Sequence, residues 1–150
     1  MSNYQLLNIF YKVNFLLIFL SCDTNSPSEY SLCKDLTEKD NVYLLDNNIY
    51  NGVCKIIDTD ITINEKFIKE GKIYAEKGYY FPSGNIRYEG KIKNDSLSGK
   101  YFQYHNNGEF SVKGKFFKGY PDGKWKKYDN SGKLISTQFF KKGELIKTKF

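Results

Sequence analysis

From about residue 42 onward, apolar and polar residues alternate in short runs, and Gly, Asn, Asp and Ser break the runs. Alternation with a period of two is the pattern of half-buried strands, and the interruptions carry turn chemistry. Gly99 to His105 (GKYFQYH) reads as a strand, Asn106-Asn107-Gly108 as a tight turn, and Glu109 to Phe117 (EFSVKGKFF) as the returning strand. Lys118 to Asp122 (KGYPD) then leads into the same pattern again. Gly84, Gly108 and Gly132 are spaced by 24 residues, as are Tyr80, Tyr104 and Tyr128, and Ile92, Phe116 and Phe140. Residues 75–98, 99–122 and 123–146 align without a gap. Upstream the pattern fades but stays in phase: Ile68 falls in the column of Ile92, and Gly71 in that of Asp95, Gly119 and Gly143. Fixed-period similarity of this kind is the signature of a repeat architecture. The prediction is an all-β fold, an elongated antiparallel meander of stacked β-hairpins, in which each 24-residue copy contacts mainly its neighbours.

A lone hairpin is marginal in water, so stacking has to supply the cohesion. Tyr80, Tyr104 and Tyr128 are expected to form one cross-strand ladder, and Ile92, Phe116 and Phe140 another, at roughly 0.2–1 kcal/mol per pair. In the last copy Lys141, Lys142, Lys147 and Lys149 would charge the terminal edge and discourage pairing with other chains.

The first 21 residues follow a different pattern. Lys12 precedes a short apolar run, Val13 to Leu20, interrupted only by Asn14. The run is too short to span a bilayer, which takes about 20 apolar residues, and its order is that of a secretory signal peptide. It ends Phe19-Leu20-Ser21-Cys22, which resembles a bacterial lipobox. Residues 1–21 are therefore read as a lipoprotein signal, with an uncleaved anchor as the alternative. Cys22 is read as the lipidated residue that would hold the protein on a membrane of the bacterial cell envelope. Residues 22–41 are polar and poor in apolar anchors, as a flexible linker would be. The repeat domain then covers 42–150.

Composition narrows the chemistry. The formal net charge is +6, and there is a single His and a single Trp. One His leaves little room for a His-rich metal site or a serine-type triad. His105 is read as an exposed turn position, and Asp58 and Asp60 as parts of a hairpin turn. No cofactor, metal site or catalytic residue is expected. Cys33 and Cys54 remain once Cys22 carries lipid. Export would permit a disulfide between them, although nothing in the sequence brings them together. The candidate binding surface is Tyr101 and Trp125 with Phe102, Lys100 and Lys124, because a large aromatic beside lysine suits an interface anchor. The lysines look scattered along the repeats, and export argues against nucleic acid as a partner.

The repeat resembles the MORN repeat, and more closely the bacterial variant of YwqK-family antitoxin proteins. The resemblance is carried by Gly99-Lys100-Tyr101, Tyr104 and Asn107-Gly108 in one copy. In the next it is carried by Gly123-Lys124-Trp125, Tyr128, Ser131-Gly132 and Lys142-Gly143. Val42 to Leu45 and Tyr50-Asn51-Gly52 also resemble the family's first strand pair. The resemblance implies a hairpin array used as an interaction surface, with a protein partner that is toxin-like. The alternative expectation is a module that binds envelope glycan or lipid headgroups through Tyr101 and Trp125.

Overall fold

The computed structural model describes residues 30–80 and 82–150. The signal segment and Cys22 lie outside the described residues. Among the described residues there are fourteen strands and no α-helix. The main sheet has eleven strands. Its long members follow one another in chain order: β5 (Gly52–Asp58), β6 (Ile61–Lys69), β7 (Lys72–Tyr79), β8 (Ile86–Lys93), β9 (Ser96–Tyr104), β10 (Phe110–Phe117), β12 (Gly123–Tyr128), β13 (Leu134–Lys141) and β14 (Glu144–Lys149). Short β11 (Tyr120–Pro121) extends the hairpin that leaves β10. Successive long strands pair antiparallel throughout. This is the predicted meander.

Two rails of turns hold the copies in register. Along one edge, Glu70-Gly71, Asn94-Asp95, Lys118-Gly119 and Lys142-Gly143 occupy equivalent positions with positive φ at both residues. That is the two-residue hairpin turn whose twist suits the flanking strands, and it is why Gly recurs at its second position. The Gly119 N–H donates to the Leu97 carbonyl and the Gly143 N–H to the Pro121 carbonyl, both at 2.9 Å. These two turns are thereby bonded to the chain just beyond the turn before them.

The other edge is joined by side chains. Asn85 Nδ2 donates to the Asn106 carbonyl at 2.6 Å, and Asn107 Nδ2 to the Asn130 carbonyl at 2.7 Å. His105 Nε2 donates to the Tyr128 carbonyl at 3.0 Å. His105 is therefore half-buried between turns and not the free surface residue that its turn position implied. The tyrosine column also differs from expectation. The Tyr80 hydroxyl donates to the Tyr104 carbonyl at 2.7 Å, and the Tyr104 ring stacks on Phe110 at 4.8 Å. It works as a hydrogen-bonded rail more than as a stack of rings, because its position beside the turns puts hydroxyls within reach of backbone.

The N-terminal end is capped. β1 (Ser31–Leu32) runs parallel to β5, and a 3-10 turn, Cys33–Asp35, follows it. A three-stranded sheet of β2 (Thr37–Lys39), β3 (Val42–Leu45) and β4 (Asn48–Ile49) folds beside it. Cys33 and Cys54 form a disulfide with Cα atoms 4.8 Å apart. Tyr50, Cys54 and Ile68 are buried there, and Leu36, Tyr43, Leu45 and Ile73 pack against them. Residues 31–41 therefore belong to the fold, whereas the sequence reading placed them in a flexible linker. Their few apolar side chains find burial only through the cystine and the end of the sheet.

Candidate functional site

Residues directly opposite each other on adjacent strands share a face of the sheet, so the registers sort the candidate residues. On one face Gly90 lies opposite Tyr101, and Tyr101 opposite Gly114. Trp125 lies over Gly114, where an added Cβ would sit 2.2 Å from the indole. Only glycine allows a ring to lie this close to the strand. Tyr88, Tyr101, Phe116, Trp125 and Phe140 then form one run of ring contacts with centroids 5.0–6.2 Å apart. Trp125 keeps only 8% of its surface exposed. Burial raises the Tyr101 hydroxyl above the ordinary tyrosine range, and neighbouring Tyr88 and Glu76 add to the shift. Tyr88, Tyr101, Phe116 and Phe140 are half-buried alongside Trp125, so the rings of this closed face cover one another.

The opposite face is open, and one row can be followed across nine strands. It reads Lys55, Glu65, Lys77, Glu89, Phe102, Lys113, Lys126, Thr137, Lys149, each opposite the next. A second row beside it holds the pairs Phe67–Ala75 and Ala75–Lys91, then Lys100–Lys115, then Lys124–Phe139 and Phe139–Lys147. The sequence-predicted residues are thus divided. Tyr101 and Trp125 lie on the closed face, while Lys100, Phe102 and Lys124 lie on the open one. Lysine and aromatic are adjacent in the chain, and alternation sends neighbours to opposite faces.

The acids of the open face are already engaged. Glu65 lies 3.6 Å from Lys55 and accepts the Tyr79 hydroxyl at 2.6 Å. Glu89 accepts the Tyr104 hydroxyl at 2.7 Å. Burial and then these carboxylate bonds push both tyrosines well above their ordinary range. Lys115 pairs with Asp122 at 3.1 Å. Among the described residues Lys100, Lys113, Lys124 and Lys126 have no carboxylate within ion-pair distance. Lys113 Nζ rests 3.3 Å from the centroid of Phe110.

Next to these lysines the small Ala75 leaves a depression of about 300 Å³, walled by Phe67, Tyr74, Lys91, Lys100 and Phe102. Tyr74 is half-exposed at its rim. The sequence reading missed Lys113 and the Ala75 depression. The columns Lys91/Lys115 and Lys100/Lys124, each 24 residues apart, were the available signal for the lysine rows.

Residues 121–142 match the model of a family described as MORN repeat variant. The match covers β12, the Asn130-Ser131-Gly132 turn and β13, so it falls almost wholly in the third aligned copy and begins two residues before it. It supports a MORN-repeat protein. No curated protein and no solved structure matches the chain. In structural terms the matched copy is one hairpin, with Trp125 on its closed face and Lys124 and Lys126 on its open one.

Proposed function

We propose that this protein is a non-catalytic interaction module. Its open face engages another protein, and lipid on Cys22 tethers it at the bacterial cell envelope. The observation that carries the reading is the asymmetry of the sheet: the rings of the closed face are spent on holding the repeats together, and on the opposite face Lys100, Lys113, Lys124 and Lys126 have no carboxylate partner among the described residues. The Cys33–Cys54 disulfide supports an exported location, since oxidising compartments are where such bonds persist. An immunity-like role, neutralising a toxin-like partner at the envelope, is the finer form of the proposal. Glycan or headgroup stacking on Trp125 is disfavoured, because the indole is covered by neighbouring rings of its own sheet.

Two measurements test this. A photo-crosslinking residue at Phe102 in the intact bacterium is expected to trap a discrete protein partner, and the same residue at Lys127 on the closed side is not. Equal trapping from both positions, or none from either, overturns the module reading. Radiolabelled palmitate is expected to enter the wild-type chain and not a Cys22→Ala variant. An unlabelled wild type in a lipoprotein-competent host removes the anchor.

A further inference from the structure

We infer that the open face is built for an acidic protein segment. The lysines of β9, β10 and β12 would meet its carboxylates, and the Ala75 depression would receive one large apolar side chain from it. The inference rests on the interaction-module reading and adds the chemistry of the partner.

The long cross-strand row supplies the first argument. Its N-terminal half alternates in sign, Lys55, Glu65, Lys77, Glu89, so it is balanced internally. Its C-terminal half, Phe102, Lys113, Lys126, Thr137, Lys149, contains no acid. Lys113 faces Lys126 directly, and Lys100 faces Lys115. Like charges in that relation destabilise a sheet. Two such pairs stand on three consecutive long strands, with Asp122 the only carboxylate at ion-pair distance from these lysines among the described residues. A local rule broken without internal compensation is expected at a functional surface, and the missing compensation here is negative charge.

Spacing and shape select among anions. Lysines on neighbouring strands stand about 5 Å apart, and the two rows lie about 6.8 Å apart along the strands. An extended peptide presents every second side chain at the same repeat of about 6.8 Å. The Ala75 depression adjoins the lysines through Lys100 and Phe102. The depression has Phe67, Tyr74 and Phe102 on its walls with Glu76 and Glu89 beside them, so it would repel a bare phosphate polymer but suits a neutral hydrophobic anchor residue. A membrane would want projecting apolar wedges. The central rings Phe102 and Phe110 are instead half-buried, with Lys113 lying over Phe110.

The test uses the full chain and defined probes. These are labelled poly-L-glutamate, a short Glu-rich peptide carrying one Leu, and the same peptide with Ala in its place. Lys113→Gln/Lys126→Gln is expected to weaken poly-glutamate binding about tenfold and flatten its salt dependence. Its melting temperature is expected to hold or rise, because opposed charges have been removed. A double variant with the same charge change outside the two lysine rows, Lys127→Gln/Lys133→Gln, is expected to shift binding by less than about twofold. The Leu peptide should bind more tightly than its Ala counterpart, and that advantage should vanish in Ala75→Trp, which fills the depression.

Equal loss in the two double variants overturns the inference, as does a Leu peptide that binds no better. So does tighter binding, through the same lysines, to polyphosphate or to phosphatidylglycerol vesicles than to poly-glutamate. If crosslinking at Phe102 persists in cells but ignores Lys113→Gln/Lys126→Gln, the inference falls and the module reading stands. If Phe102 and Lys127 trap nothing, the module reading itself falls.

Discussion

Trp125 illustrates how one residue type serves two readings. Beside Lys124 and Lys126 it has the sequence context of an interface anchor, yet it packs among Tyr101, Phe116 and Phe140 above Gly114. Among the described residues its indole N–H has no hydrogen-bond partner. Trp125→Ala is expected to lower stability by about 3–5 kcal/mol, measured by urea unfolding. Any loss of partner binding should track the loss of fold. Period-two alternation already told that Trp125 and its flanking lysines face opposite ways. Which way is inward depends on the glycine across the strand, and Gly90 and Gly114 in one column were the readable sign. The lysine rows were less legible, because opposing lysines come from different strands and only the register brings them together.

At the scale of elements, the hairpins were legible because each copy repeats its turn residues at fixed offsets. The cap was not. β1, β2 and β4 are two or three residues long, too short for any alternation to show, and their place depends on long-range bonds: the cystine and the hydrogen bonds to Glu70 and Gly71. Reduction, or Cys33→Ser with Cys54→Ser, is expected to cost about 3 kcal/mol, the chain-entropy value for a loop of this order. The cap should loosen first. Amides of Tyr43 and Tyr50, bonded to Gly71 and Tyr43 respectively, should lose hydrogen-exchange protection before those of β9 and β10. Uniform loss across the sheet would mean that the cystine stabilises the whole array and not its end.

For the molecule as a whole, stability is spread along a chain of nearest-neighbour contacts, and tyrosine–carboxylate bonds contribute to it on the open face. The hydroxyls of Tyr79 and Tyr104 have folded-state values raised above the ordinary 10.0. Each therefore favours the folded state fully below pH about 10, and that contribution is lost as pH rises through the raised value. Melting temperature is expected to be insensitive to these groups near neutrality and to fall above pH about 10. The fall should be shallower in Tyr79→Phe/Tyr104→Phe. An unchanged alkaline slope in that variant would assign the transition to other groups.

The paired turn rails set the grain in which this chain can vary. Adding or deleting one full copy of 24 residues returns every donor on a rail to a matching acceptor and merely lengthens or shortens the basic track. A single inserted residue within a strand does the reverse: it turns the downstream indole outward and drives lysine toward the ring stack. Length is thus the adjustable property of this ribbon, and phase is the fixed one.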